Sequence, residues 1–171
     1  MSMQAMPLGR AVALGVCLTL AAACGGSGSG SPTDPGSTLS EAQVEALSFQ
    51  LLNQARGAQG VEPELIQDPQ LAEVARGYSR QMRDRDFFSH VDPDGHDFTF
   101  RLSSAGVAFT VAGENLAFVT NADNPAQFAH DRFLLNPEHR ANVLDGRLTH
   151  AGVGVARDGS TFWITQLFVR R

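Results

Sequence analysis

Lysine is absent from this 171-residue chain: all 13 basic residues are arginine, set against 18 acidic ones, for a formal net charge of −5. No basic stripe can be drawn from so sparse a set, which excludes the electrostatic footprint of a nucleic-acid-binding protein. Cysteine is almost as scarce. Its two occurrences, Cys17 and Cys24, both lie near the N-terminus, so the remainder can form neither an internal disulfide nor a thiolate metal site. No internal repeat is apparent. There is also no apolar run of the roughly 20 residues that a membrane-spanning helix needs. The longest candidate, Ala11–Ala23, has 13. What is present is 43% hydrophobic residues, enough to build the core of one domain.

The N-terminus reads as an export signal over residues 1–23: Arg10 supplies the positive charge, Ala11–Ala23 the apolar segment, and small residues close it. Together with Cys24 this resembles a bacterial lipoprotein box, with Ala21 where leucine is usual. The resemblance implies cleavage before Cys24, a lipid on its sulfur, and a membrane as partner. With Gly25 rather than aspartate next, it is compatible with the outer membrane or cell surface. The alternative is ordinary cleavage after Ala23, giving a secreted or periplasmic protein. Residues 24–37 carry the lipidated cysteine and a Gly/Ser-rich tether with almost nothing to bury, and residues 38–171 form the folded domain.

Within that domain the helix starts are written locally. Ser40 with Gln43 is a capping box, followed by Val44, Leu47, Leu51, Leu52 and Ala55 at helical spacing until Gly57 and Gly60 end the run. Asp68-Pro69, Asn124-Pro125 and Asn136-Pro137 each pair a capping side chain with a first-turn proline. They predict helices from Leu71 to near Phe87, through Phe128, Phe133 and Leu134 on a buried side, and onward to Leu144. A short helix is expected over Thr99–Ala105, and a strand within Val107–Ala112 and Asn115–Val119. The C-terminus is a hairpin, Ala151–Arg157 and Thr161–Val169, turning at Asp158-Gly159. In its second strand Trp163 and Leu167 point one way, and Phe162, Ile164 and Phe168 the other. Such a strand is covered on both faces, and Gln166 in it needs a partner.

Four segments stand in order: FFSHVDPDG (Phe87–Gly95), GENLA (Gly113–Ala117), NPEHRANVL (Asn136–Leu144), and AGVGVA with FWITQLF (Ala151–Phe168). This set resembles the bacterial branch of the CAP superfamily, also called SCP-like or PR-1-like, from about Leu47 to Phe168. The resemblance implies an α+β fold, a three-layer α–β–α sandwich on a central, mostly antiparallel sheet. It also implies a cleft that in many eukaryotic members holds two histidines and two glutamates. Carried onto this chain, the cleft comprises His90, Glu114 and His139, with Asn136 near the place of the second glutamate.

Physically, a neutral His139 in the first turn of a helix is favoured by the helix dipole, and neutral imidazole is the form that ligates metal or accepts a proton. His90 and His139 could hold zinc or another divalent cation, with Glu114 orienting one ring. The set fits a binding module for an envelope glycan, peptide or lipid. It also fits a metal-assisted envelope hydrolase with Glu114 as general acid/base. A plainer alternative makes all three residues hydrogen-bonded scaffolding. Ser89 lacks the G-x-S-x-G elbow of a hydrolase nucleophile. Asp92, Asp94 and Asp97 lack the closing bidentate glutamate of a calcium loop and read as a tight solvated turn. His96, His130 and His150 are expected on surfaces or helix faces.

Overall fold

A computed structural model describes residues 39–171. The export signal over 1–23, Cys24 and the tether to residue 37 lie outside them. The elements run α1 (Glu41–Ala58), β1 (Ile66–Gln67), α2 (Pro69–Asp84), α3 (Phe98–Ser104), β2 (Val111–Thr120), α4 (Pro125–Leu135), α5 (Pro137–Leu144), β3 (His150–Asp158) and β4 (Thr161–Arg170). Every cap read from the sequence is used. Ser40 and Gln43 form the reciprocal box, and Asp68 accepts from the amides of Gln70 and Leu71. Asn124 caps α4, while Asn136 closes α4 and caps α5 in one residue. The second helix stops at Asp84, short of Phe87, because Asp86 turns the chain at φ 52°.

The sheet order is β1-β3-β4-β2, with β1 parallel to β3 and the other pairs antiparallel. Eight consecutive residues of β4 are buried, from Phe162 to Val169. Phe162, Ile164 and Phe168 join the core under α1 and α4, with Val44, Leu52 and Phe133. Trp163, Leu167 and Val169 face the opposite layer, with Leu71 and Tyr78 of α2 and Leu102 of α3. The α–β–α sandwich expected from the sequence is therefore the architecture. Gln166 finds its partner in Asn115, whose Nδ2 donates to Oε1 at 3.2 Å. Asn142 of α5 donates in turn to Asn115 Oδ1 (2.9 Å), tying helix to sheet.

Three further features hold the layers. Gly152 and Gly154 let α2 lie directly on β3: a Cβ at Gly154 would stand 2.0 Å from the Arg76 amide nitrogen. Arg56 of α1 is fully buried and donates to the carbonyls of Pro63, Val143, Asp145 and Leu148. Beyond its short pairing with β1, the outer edge of β3 is closed by carboxylates of α1. Glu45 accepts from the amide of Val155 (3.1 Å) and Glu41 from that of Arg157 (2.8 Å).

Two side chains of α4 show which of its faces is buried. Phe128, expected on the buried side of α4, is 44% exposed, and His130, expected on a surface or a helix face, lies on the buried face of α4. The stripe that α4 buries is Ala126, Ala129, His130 and Phe133, at spacings of three and four. Phe128 lies five residues from Phe133, about half a turn out of line, and cannot share it.

Candidate functional site

β2 is the terminal strand of the sheet, and its side chains alternate between the two layers. Glu114, Leu116 and Phe118 face the α2 side; Asn115, Ala117 and Val119 face α4 and α5. The candidate site lies along this edge, where the two layers meet. His90 reaches it from the loop after α2, and His139 from the first turn of α5.

Glu114 is 4% exposed, and both its oxygens are engaged. Oε1 lies 2.9 Å from His90 Nδ1, and Oε2 accepts from Nη2 of Arg101 at 2.6 Å. Arg101, from α3, lies flat on the Tyr78 ring, with Cζ 3.3 Å from the centroid, and donates to the carbonyl of His96 (3.0 Å). Tyr78 in turn donates to the carbonyl of Ser89. Burial pushes the Tyr78 phenol up to about 12, so it stays a donor at any physiological pH. The loop bearing His90 is thus pinned from behind at two points. In the neutral tautomer whose Nδ1 donates to the carboxylate, the acceptor of His90 is Nε2, on a side chain half open to solvent.

His139 stands 6.4 Å from His90, ring centroid to centroid, and meets the edge of Phe133 at 5.2 Å. Burial, and after it the neighbouring His90, hold its pKa below the ordinary histidine range. The sequence reading put the same direction down to the helix dipole; the principal cause here is desolvation. Asn136 commits its amide oxygen to the N–H groups of Glu138 (2.9 Å) and His139 (3.2 Å), so it positions His139 as a cap. Beside His139 opens a cavity of about 190 Å³, walled by Phe88, Phe118, Phe128 and Phe133 and edged by Arg132.

The other sequence candidates have local roles. Asp92 accepts from the amides of Asp94 and His96, Asp94 pairs with Arg85, and Asp97 caps α3. The turn is tight, as expected, but Asp92 is buried in it. The Ser89 hydroxyl accepts from the amide of Val91. His96 stacks on Phe100 at 3.8 Å, and His150 pairs with the hydroxyl of Thr149.

Among the described residues no group of three or more His, Cys, Asp or Glu side chains could hold a metal ion. An open zinc site uses three protein ligands. Here Glu114 already binds Arg101, leaving two imidazoles, so this donor set does not fit a resident metal. The sequence reading missed Arg101 and Tyr78. The signal was Glu114 itself: a carboxylate set in a strand of apolar residues requires a cation, and Arg101 is near in sequence.

Acidification gives a direct check on the buried imidazoles. His130 is also held below the ordinary range, by burial first, and its Nδ1 has no partner. A depressed folded pKa means that the unfolded state binds more protons. The stability from both histidines is therefore whole above about 6.5 and drains away as pH falls from there through the folded values. The urea midpoint should fall between pH 7.5 and 5.5, a window above the carboxylate range. His130→Gln should show a smaller fall; an identical fall in both proteins counts against this assignment.

Known proteins share this fold. Residues 49–168 match the family model described as "CAP: Cysteine-rich secretory protein family". The chain is 37% identical over 134 residues to the uncharacterized membrane protein YlbC of Bacillus subtilis, covering 78% of this chain and 35% of that one. An extracellular protein containing an SCP domain from Bacillus anthracis superposes with a TM-score of 0.68 at 33% identity, over 77% of this chain and 41% of that one. An outer surface protein of Borrelia burgdorferi shares the fold at 16% identity, with a TM-score of 0.69 over 80% of this chain and 98% of that one. The chain spans less than half the length of the Bacillus proteins it matches. No helix among the described residues is long and apolar enough to cross a membrane. With its helices, its sheet and the matched segment in agreement, this chain belongs to the CAP family, the cysteine-rich secretory protein family, though the matched residues contain no cysteine.

Proposed function

We propose that this is an exported cell-envelope recognition module, held at a membrane through a lipid on Cys24, which binds an envelope ligand along the edge of β2. The reading rests on one observation. Glu114, the carboxylate of the cleft, is buried with both oxygens engaged, so the cleft offers imidazole nitrogens and an apolar cavity but no free acid. In the competing reading, a metal-assisted hydrolase, Glu114 acts as general acid/base. That role needs a carboxyl within hydrogen-bond reach of the substrate, and Glu114 reaches only Arg101 and His90. A divalent cation such as zinc would have only the imidazoles of His90 and His139, and no step is assigned to it.

The test is retention on envelope fractions, cell wall and membrane separately, by the full chain and by His90→Ala and His139→Ala. Each substitution is expected to weaken retention about 10-fold or more, the size of a binding hot spot. Equal retention of all three proteins removes the cleft from the reading. Release of soluble fragments that His90→Ala abolishes would favour the hydrolase. Cys24→Ser should move the protein into the soluble fraction; if it stays with the membrane, the lipid is not the anchor.

A further inference from the structure

The Phe88–Phe118 pair (centroids 6.0 Å apart) is the shared wall of two cavities. On one side is the space of about 190 Å³ reaching to Phe133, with His139 and Arg132 at its margin. On the other is a space of about 240 Å³ lined by Trp163, Phe87 and Asp86. Phe88, Phe118 and Phe128 are 49%, 48% and 44% exposed, a cost that nothing among the described residues offsets.

The strip is also polar end to end. Arg132 forms no ion pair among the described residues, and its guanidinium lies 5.2 Å over the Phe128 ring. Asp86, at the far end, has no ion pair among the described residues either. An unpaired cation at one end and an unpaired anion at the other give a bound molecule a direction.

Size narrows the occupant. Drug-sized ligands take pockets of about 300–1,000 Å³, whereas an apolar cavity of about 150 Å³ holds a single benzene ring. Each space therefore suits one side chain rather than a long hydrocarbon. In an extended peptide, side chains two residues apart point the same way, roughly 6.8 Å from one another. A single aromatic ridge between two cavities gives such a pair of side chains two separate places.

We propose that the edge of β2 captures the C-terminus of a peptide whose last and third-last residues are large and apolar. The last side chain fills the cavity at Phe133, its carboxylate is taken by the Arg132 guanidinium beside His139, and the third-last side chain enters the cavity at Trp163. This deepens the envelope-recognition reading and rests on it, by naming the chemical class of ligand at the same face.

Trp163 is the chain's only tryptophan and lines the second cavity, so its emission reports occupancy. The full chain is titrated with acetyl-Phe-Ala-Phe as the free acid, with the same peptide as its C-terminal amide, and with decanoate. The free acid should shift the emission saturably, and the amide should bind about 10-fold more weakly, for loss of a charge-assisted pair. Arg132→Gln, an exposed position, should lower affinity for the acid to that for the amide and leave the amide unchanged. The proposal is overturned by equal binding of acid and amide, by an Arg132→Gln protein that binds like the parent, or by no emission change at millimolar peptide. Decanoate binding more tightly than the peptide also overturns it, assigning the strip to lipid. If His90→Ala loses envelope retention while no peptide binds, the peptide proposal alone fails.

Discussion

Replacing Gly154 with alanine is expected to bring the domain close to unfolding. An added Cβ would lie 2.0 Å from the Arg76 nitrogen and 2.2 Å from the Ala75 carbonyl carbon, and at Gly152 the same atom would lie 2.2 Å from the Ala72 nitrogen. These are backbone atoms, which no rotamer change can move. Two strand positions on one face meet two helix positions four apart, so α2 runs along β3 in contact at both points. Clearing a methyl group requires the helix to retreat by more than about 1 Å, against a core packed as densely as a molecular crystal. That retreat pulls Leu71 and Tyr78 from their places and parts the Ser79–Thr165 hydroxyl pair (2.8 Å). A cost above about 4 kcal/mol is expected, a large share of the roughly 5–15 that hold a domain together. Urea unfolding measures it; a loss under about 1 kcal/mol would contradict direct backbone packing. Gly57→Ala is the control of opposite sign. It sits in the last turn of α1 with nothing within 4 Å of the new methyl, and should gain about 0.5–1 kcal/mol.

Arg56→Met should cost about 3–5 kcal/mol, in the range for removing one partner of a buried charged network. Nη1 donates to Val143 (3.0 Å) and Asp145 (3.0 Å), and Nη2 to Pro63 (2.8 Å) and Leu148 (3.2 Å). One guanidinium thereby joins the loop after α1, the end of α5 and the turn into β3. Methionine fills the volume but leaves four carbonyl oxygens without their donor. Arg56→Lys keeps the charge, yet an ammonium cannot reproduce the planar fork, so it should recover less than half of the loss. Amide exchange should quicken at Leu148, whose N–H bonds the carbonyl of Asp145, before the sheet opens. An Arg56→Lys protein within about 0.5 kcal/mol of the parent would show that the fork geometry is immaterial.

The legible parts of this fold are those whose physics is local. A capping side chain acts on amides two and three residues ahead, so Ser40, Asp68, Asn124 and Asn136 could be read before any contact was known. β4 could be read because apolar residues on both faces need a cover on both faces. Phe128 and His130 could not, since which stripe of α4 is buried depends on how the helix rolls against α1 and β2. The role of Arg56 could not be read either, because its four acceptors come from segments that only the fold brings together. In the candidate site, the three residues named from the resemblance are the ones whose side chains gather at β2. The alternating geometry that buries Glu114 and brings His90 and His139 to within 6.4 Å exists only once β2 is the last strand of the sheet. The aromatic strip escaped because Phe88, Phe118 and Phe128 lie on three separate segments, and only Phe128 carries a burial expectation, on the wrong side of its helix.

The closed outer edge of β3 bears on what crowded copies of the protein can do. Growth of a fibre by strand addition needs two complementary open edges, one to offer and one to receive. On the β3 side, Glu45 and Glu41 already occupy the amides of Val155 and Arg157, and β1 covers the start of the strand. Among the described residues the other long edge is β2, where Asn142 already donates to the carbonyl of Glu114 (3.1 Å). Through the described residues, two copies could at most join there, back to back, and the paired sheets would offer no further open edge from which to elongate.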